Sequence, residues 1–354
     1  MSLIVLCLPR LHFCWSLAAH VHRQRCAFRN WRTALLTTAL ALAAGPAISA
    51  ESPVRERGVV EWLLRIHEAS RQRAYVGTLV VSAGSVMSSA RVWHVCDGKQ
   101  QMERIETLTG APRTTIRHNS EVLTFMPSNK LALLEKRESL GLFPDLLRTP
   151  SNQIAAFYDT HERGVERVAG YWADMVEITP RDPWRFGYRI WSEKKTGLLI
   201  KAETLDAKGA VMEQVAFTEL KINAPVNLDK LKQQMNNTKG YELRRPVLRK
   251  TTPQAEGWQL NDKVPGFTTV SCHTRNPLSG QRTPLQWVLS DGLATVSLFI
   301  EPFDEAQHSK EGSAVVGATY SLTQRVGDHY WVTAIGEVPS TTLRRFTTGL
   351  ERLR

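Results

Sequence analysis

The chain has 354 residues, of which 42% are hydrophobic and 22% charged, and its formal net charge is +11 at pH 7. This length is enough for two domains. Beyond residue 50, no stretch is apolar for 18 residues, which argues against a membrane-spanning helix there and predicts a soluble mature chain.

Residues 1–50 have the layout of a secretory signal peptide. They contain five arginines and no acidic residue. A cationic stretch, 23–32, precedes an apolar stretch of 13 residues, 33–45, which is too short to span a bilayer. Small residues at 47–50 predict cleavage just before Glu51. We therefore expect an exported protein, which argues against nucleic acid as a partner.

The mature chain begins with a predicted helix followed by strands. Ser52 and Pro53 are suited to the start of that helix. Apolar residues then recur at helical spacing to about Arg71, which predicts a helix packed on a sheet. These residues are Val59, Trp62, Leu63, Ile66 and Ala69. Six strands are predicted next, at residues 76–82, 90–95, 101–107, 114–118, 122–126 and 130–135.

Residues 139–159 interrupt this pattern. They are rich in apolar side chains, but Pro144 and Pro150 prevent a long helix. Two interpretations remain open, namely core packing and a movable lid over a ligand cavity. Under the second, the cavity and lid residues are Leu140, Leu142, Phe143, Leu146, Leu147, Phe157, Tyr158 and, on a later strand, Ile200.

The stretch 186–222 predicts a three-stranded antiparallel meander. Two further strands, at 166–169 and 174–180, precede it, and its own strands are predicted at 186–191, 198–205 and 211–220. Gly197 and Gly209 suit the two tight turns, because glycine adopts a positive φ at little cost. Ile200 and Ala202 alternate with Lys201 and Glu203, so the predicted sheet has one apolar face.

Residues 226–250 concentrate positive charge, with seven Lys and Arg against two acids. We interpret the segment as a connector between domains at 51–225 and 251–354. A solvated linker is one interpretation, and a surface for an acidic partner or a phosphorylated lipid headgroup is the other. The partner-binding candidates are Lys239, Arg244, Arg245, Arg249 and Lys250.

The last hundred residues predict a smaller α+β domain. Strands are predicted at 267–273, 285–289, 294–300, 314–326 and 329–337, with Asp291-Gly292 as a hairpin turn. A closing amphipathic helix is predicted from Leu343, Phe346, Leu350 and Leu353. The predicted fold class is α+β and mainly antiparallel β: an N-terminal curved half-barrel with covering helices, followed by this domain.

The sequence carries no recognisable catalytic or metal-binding motif. There is no G-x-S-x-G, H-E-x-x-H, G-x-G-x-x-G or P-loop pattern, and the histidines are scattered. Only Cys96 and Cys272 of the five cysteines lie beyond the leader, without metal-ligand spacing, although a disulfide between them is left open. We therefore predict a protein that is not an enzyme and needs neither cofactor nor metal. A dispersed catalytic triad is the remaining enzymatic alternative.

Several short segments resemble the RseB/MucB family of periplasmic negative regulators of the envelope-stress sigma factor. Their order and spacing match over about residues 55–353. In the meander they are Trp191, Thr196-Gly197-Leu198-Leu199, Lys201, Leu205-Asp206, Gly209 and Glu213-Gln214. Elsewhere they are Pro112-Arg113, Asn119-Ser120-Glu121-Val122, Val264-Pro265-Gly266-Phe267, Ser290-Asp291-Gly292-Leu293 and Gly336-Glu337-Val338-Pro339.

The resemblance implies a fold and a function. It implies that the half-barrel is similar to the periplasmic lipoprotein carriers. It also implies that the protein binds the periplasmic segment of a membrane-spanning RseA/MucA-type anti-sigma factor, protects it from site-1 proteolysis, and releases it on binding mislocalised lipoprotein or lipopolysaccharide acyl chains. The alternative is a periplasmic lipid or lipoprotein carrier or chaperone without a regulatory partner. A pure carrier needs only the first domain, so the second domain and the connector favour a regulator. A homo-oligomer is left open.

Overall fold

The computed structural model describes residues 57–136, 152–275, 284–308 and 310–353, which form two mainly antiparallel sheets, a short strand pair and three α-helices. The helices are α1 (Val59–Gln72), α2 (Leu228–Asn236) and α3 (Ser340–Thr348). The strands before α2 are β1 (Tyr75–Ala83), β2 (Val86–Cys96), β3 (Gln101–Thr107), β4 (Thr114–His118), β5 (Glu121–Met126), β6 (Leu131–Lys136), β7 (Tyr158–Val168), β8 (Tyr171–Pro180), β9 (Gly187–Glu193), β10 (Leu199–Leu205) and β11 (Val211–Ile222). Those after α2 are β12 (Glu242–Arg244), β13 (Leu248–Lys250), β14 (Trp258–Leu260), β15 (Thr268–Arg275), β16 (Leu285–Ser290), β17 (Thr295–Pro302), β18 (Gly312–Val316), β19 (Thr319–Val326), β20 (Tyr330–Gly336) and β21 (Leu350–Arg352).

The first sheet has twelve strands in the order β12-β6-β5-β4-β3-β2-β1-β11-β10-β9-β8-β7. Each neighbouring pair is antiparallel except β6 with β12. The meander β9-β10-β11 returns to pair with β1, which joins the two halves of the sheet. The predicted fold class, mainly antiparallel β with covering helices, is therefore confirmed.

Helix α1 covers one face of this sheet. All five apolar residues that predicted the helix are buried. All of them except Ala69 belong to one hydrophobic cluster with Val176, Ile190 and Ile200 of the sheet. The observed helix begins at Val59 after Gly58, which has no side chain that could cap it. The predicted start at Ser52-Pro53 lies outside the described residues.

Helix α2 covers the opposite face of the same sheet. Met102 and Ile105 lie three residues apart on β3, so they point to opposite faces. Ile105 packs against the α1 cluster, whereas Met102 packs with Leu231 and Met235 of α2. Asn227 caps this helix by accepting a hydrogen bond from the Lys230 N–H at 2.9 Å. The sheet is thus apolar on both faces, each over a different group of strands.

The predicted connector is a structured segment. It contains α2, then β12 at the edge of the first sheet, and β13 at the edge of the second. Periodicity did not indicate α2, because only Leu231 and Met235 are buried in this mostly polar stretch of nine residues. The two three-residue strands are too short to produce an alternation signal.

The second sheet has the order β13-β15-β16-β17-β20-β19-β18, and α3 packs against it. Two expectations about its elements were wrong. The predicted strand 314–326 is a hairpin, because the chain turns at Gly317, where φ is +57°. The closing helix ends at Thr348, so Leu350 lies on β21, paired with β14, and Leu353 follows that strand.

Strand β7 is longer than predicted. It begins at Tyr158 rather than at residue 166, and most of it is exposed at the edge of the first sheet. Its exposed side chains are largely polar, so no apolar alternation marked the early half.

Candidate functional site

The two sheets meet around a buried ion pair between Arg185 and Asp291. Their side chains are fully buried, and Arg185 Nη1 lies 3.1 Å from Asp291 Oδ2. Arg185 Nε lies 3.1 Å from Asp182, and Nη2 donates to the Pro265 carbonyl at 2.5 Å. The Nε and Nη1 contacts are close in distance but not oriented as hydrogen bonds. One guanidinium on the β8–β9 loop therefore joins the first sheet to two loops of the second.

Tyr158 completes this junction cluster, which we define as Tyr158, Asp182, Arg185, Pro265 and Asp291. The Tyr158 hydroxyl donates to Asp291 Oδ2 at 3.0 Å. Asp291 Oδ1 accepts the N–H groups of Leu293 and Ala294 at 2.9 and 2.8 Å, which fixes the β16–β17 turn. Every oxygen of the Asp291 carboxylate thus has a donor or a cation beside it.

Burial sets the protonation behaviour of the cluster. Desolvation raises the pKa of Asp291, although the backbone donors, Arg185 and the Tyr158 hydroxyl oppose the rise. Desolvation also raises the pKa of Tyr158, and the neighbouring Asp291 carboxylate adds to the effect. The Tyr158 hydroxyl therefore keeps its proton and acts as a donor.

Two glycines let the backbone of the second sheet approach the first. Gly266 has φ +83°, and a Cβ there would lie 2.5 Å from the Phe157 ring. Gly292 has φ +102°, and a Cβ there would lie 2.7 Å from Ile154. Both glycines belong to motifs that carried the family resemblance, and close approach is the physical reason for glycine at each.

Further contacts extend the junction beyond the ion pair. Glu213 on β11 accepts the Ala318 N–H at 3.3 Å, and burial raises the pKa of this glutamate. The Thr342 hydroxyl donates to the Trp184 carbonyl at 2.7 Å. Arg345 stacks over the Trp184 ring, 4.6 Å from its centroid. Strand β11 and the β8–β9 loop of the first sheet therefore contact the β18–β19 turn and helix α3.

A second buried polar feature crosses the α1 face of the first sheet. Tyr75, His94, Glu103 and Arg117 are cross-strand neighbours on β1 to β4. All four are buried, and two Arg117 nitrogens contact Glu103 Oε2 at 3.2 and 3.1 Å. Burial lowers the pKa of His94, whose Nδ1 lies 2.7 Å from the Arg73 carbonyl, and raises that of Tyr75. This row places buried polar and charged groups beside the hydrophobic cluster that α1 covers.

The predicted ligand-binding residues divide into two groups. Leu140, Leu142, Phe143, Leu146 and Leu147 lie outside the described residues. Phe157, Tyr158 and Ile200 belong to the hydrophobic cluster beneath α1, and Tyr158 and Ile200 are almost completely buried. These two side chains are therefore not accessible to a ligand in this structure.

The predicted partner-binding residues are all exposed, but they differ in their ion pairs. Arg244 contacts Glu242 and Arg249 contacts Glu256, each at 2.8 Å. Among the described residues, Lys239, Arg245 and Lys250 make no ion pair. Three of the five candidates, Lys239, Arg245 and Lys250, therefore carry positive charge without an ion pair in the described part of the chain.

The junction cluster was not recognised from the sequence. Arg185 lies in an irregular loop, and Asp291 was interpreted only as a turn residue. The signal available was an arginine between two aromatic residues, Trp184 and Phe186, but its partner is 106 positions away.

Cys96 and Cys272 are both free, so the disulfide that the sequence left open does not form. Burial raises the pKa of the Cys272 thiol to about 11.

The described ranges contain neither a metal-binding cluster nor a membrane-spanning helix. No group of three or more His, Cys, Asp or Glu side chains there could hold a metal ion. In the same ranges, no helix combines the length and apolar character needed to cross a membrane.

Both parts of the chain match one family. The MucB/RseB N-terminal domain matches residues 58–235, and the MucB/RseB C-terminal domain matches residues 252–351. Together the two domain matches cover most of the chain. The chain belongs to the MucB/RseB family.

Individual relatives agree with this assignment. The sigma factor AlgU regulatory protein MucB of Pseudomonas aeruginosa is 31% identical over 87% of this chain and 95% of its own length. The sigma-E factor regulatory protein RseB of Haemophilus influenzae is 24% identical over 84% of this chain and 92% of its own. A solved complex of P. aeruginosa MucA and MucB matches with TM-score 0.66 and 26% identity, over 84% of this chain and 99% of that one. A structure of MucB with MucA(peri) matches with TM-score 0.65 and 28% identity over the same shares.

Proposed function

We propose that this protein binds the periplasmic segment of a MucA/RseA-type anti-sigma factor and thereby keeps an envelope-stress sigma factor inactive. The observation that carries the proposal is the match along both domains to MucB, together with solved structures of MucB bound to MucA. The predicted signal peptide supports export of the mature chain to the periplasm, where that segment would be accessible. A binding role, rather than catalysis, also fits the names of the curated relatives.

The direct test is binding to a purified partner. The chain from residue 51 would be immobilised, and the periplasmic segment of the same organism's MucA-type anti-sigma factor passed over it. We expect saturable 1:1 binding that an unrelated periplasmic peptide does not reproduce. Absence of binding, in a protein that is folded by circular dichroism, would reject the proposal.

The basic segment, residues 226–250, is proposed to raise the rate of association with this partner. Charged surfaces mainly raise association rates, and salt screens them. We expect the triple variant Arg244→Glu, Arg245→Glu, Arg249→Glu to associate about tenfold more slowly at low salt, with a weaker dependence on ionic strength. Arg245→Glu alone should give a large part of the effect, because Arg245 has no ion pair among the described residues.

The control reverses the same number of charges elsewhere. Lys194, Lys195 and Lys208 are exposed in turns of the first sheet, and their replacement by glutamate changes the net charge equally. If both triple variants slow association to the same extent, net charge is responsible and the basic segment has no particular role.

We further propose that acyl chains act as the releasing signal. Burying each CH₂ contributes about 0.8 kcal/mol, so part of one chain supplies several kcal/mol. Coupling then requires a difference in affinity between the partner-bound and partner-free shapes, typically about 1–3 kcal/mol. Tyr158 links the proposed ligand site to the junction cluster, since its ring packs beneath α1 and its hydroxyl donates a hydrogen bond to Asp291.

The lid interpretation of residues 139–159 predicts a selective defect. Leu142→Asp places a charge where an apolar ligand surface is proposed, which is costly. We expect this variant to bind the anti-sigma segment normally but to need at least tenfold more lipid A or lipopeptide for release. Leu142→Met is the control, because it preserves apolar character. Release of the anti-sigma segment from both variants at the wild-type lipid concentration would contradict the lid interpretation.

Lipid binding by a wild-type protein that does not bind the anti-sigma segment would instead favour the carrier alternative.

A further inference from the structure

Strand β13 forms an open edge of the second sheet. It pairs with β15 on one side only, with Leu248 opposite Arg275 and Lys250 opposite His273. The Thr251 N–H donates to the Cys272 carbonyl at 3.0 Å. Because successive residues of a strand alternate in hydrogen-bonding direction, Arg249 and Thr251 face β15, whereas Leu248 and Lys250 direct their N–H and C=O groups outward. Within the described ranges, no strand pairs with that side.

The side chains around this edge are apolar and basic. Val247 and Leu248 are 62% and 41% exposed, and all three residues of β13 are exposed. Arg245 and Lys250 make no ion pair among the described residues. An added strand would therefore meet free backbone groups, two apolar side chains and uncompensated positive charge.

The other sheet edges differ in charge. Strand β18, at the opposite edge of the second sheet, carries no charged side chain. Strand β7, at one edge of the first sheet, mixes acids and bases, and β12 pairs Arg244 with Glu242. Of the edge strands in the described part of the chain, β13 alone has only basic charges. Lysine and proline discourage an edge from pairing with a neutral strand or with a second copy of itself. The same charges favour a strand that carries acids.

We infer that β13 accepts an extended acidic segment of the proposed anti-sigma partner as an added strand, an inference that rests on the proposed function. The outward N–H and C=O groups of Leu248 and Lys250 would form the main-chain hydrogen bonds. Arg245 and Lys250 would select acidic side chains, and Val247 and Leu248 would cover apolar ones. Backbone pairing gives the affinity, and the side chains give the specificity.

The test separates the outward N–H from the charge at the same position. Lys250→Pro removes the outward donor and places a ring on the open edge, while the N–H groups that face β15 belong to other residues. Lys250→Ala removes only the charge. We expect Lys250→Pro to weaken binding of the anti-sigma periplasmic segment by about tenfold or more, and Lys250→Ala by about threefold or less.

Two outcomes would overturn the inference while leaving the proposed function intact. Wild-type binding by Lys250→Pro would show that the edge is not used. Equal losses in Lys250→Pro and Lys250→Ala would show that only the charge contributes. If the wild-type protein itself does not bind the segment, the proposed function fails, which is a separate result.

Hydrogen exchange provides a measurement that needs no variant. The outward amides of Leu248 and Lys250 should exchange rapidly in the free protein and become at least tenfold slower when the segment is bound. The Thr251 amide is the internal control, because it is bonded to Cys272 and should be slow in both states. Unchanged exchange at Leu248 and Lys250 in the complex would exclude strand addition, even if Lys250→Pro fails to fold.

Discussion

Replacing Arg185 with methionine is expected to lower the free energy of unfolding by about 3–5 kcal/mol, because it leaves the Asp291 carboxylate buried without its cation. Methionine retains much of the volume of the arginine stem, so the decrease in stability is due mainly to the missing charge. The measurement is urea unfolding of the chain from residue 51. The matched control is Arg181→Met, whose exposed ion pair with Asp159 should contribute little to stability because solvent screens it.

The effect of Arg185→Met should depend on pH in a defined direction. Burial already raises the pKa of Asp291, and loss of Arg185 removes one of the groups that oppose the rise. An acid whose pKa is higher in the folded protein than in the unfolded chain, where it is about 3.9, contributes to stability through its protonated form. This contribution is complete below the unfolded pKa and is lost as pH rises through the folded pKa. The loss of unfolding free energy in Arg185→Met should therefore be larger at pH 8 than at pH 5.

The control for this prediction is a second substitution in the same variant, Asp291→Asn, which should recover part of the stability. A deficit that is independent of pH and unaffected by Asp291→Asn would show that packing, not charge, explains the loss.

Trp62→Ala is expected to cost about 3–5 kcal/mol of unfolding free energy, because it removes the largest buried side chain of α1 and leaves a cavity over the sheet. Arg57 and Arg65 lie over the Trp62 ring, at 4.9 and 5.4 Å from its centroid, and would lose that contact. Thermal or urea unfolding measures the change. Since α1 covers the face proposed for acyl chains, the variant should also bind an apolar fluorescent probe more strongly.

Two controls separate burial from hydrogen bonding at this position. The Trp62 indole N–H is buried without a hydrogen-bond partner among the described residues, so Trp62→Phe should cost much less than Trp62→Ala. Trp172→Ala removes a tryptophan that is 61% exposed and should change stability by less than about 0.5 kcal/mol. Similar losses at Trp62 and Trp172 would contradict the assignment of α1 as the principal cover of this face.

Elements with a sustained local pattern could be predicted from the sequence. Helix α1 has five buried residues at helical spacing, and the meander has alternating strands between glycine turns. The bounds of β3 and β4 agree with the prediction at both ends. In each case the information lies within a dozen neighbouring residues, because amphipathic periodicity is a local property.

The remaining features depend on contacts between residues far apart in the chain. Helix α2 buries only Leu231 and Met235, so its place on the sheet depends on apolar residues of β3 to β6 that precede it by about a hundred positions. The pairing of Arg185 with Asp291 likewise requires both sheets to be folded. The turn at Gly317 was missed because the flanking residues continue to alternate like one strand. Gly349 ends α3 even though Leu350 and Leu353 continue its apolar spacing.

The route from β12 to β13 restricts how the two sheets can move relative to each other. Strand β12 is bonded into the first sheet and β13 into the second, and only residues 245–247 lie between them. Four Cα–Cα steps of about 3.8 Å separate Arg244 from Leu248, so the distance between these two Cα atoms cannot exceed about 15 Å. The sheets therefore cannot slide far apart at this side while both pairings persist. A movement that carries Tyr158 far from Asp291 would therefore have to be a rotation about residues 245–247, with the widest opening on the side away from them.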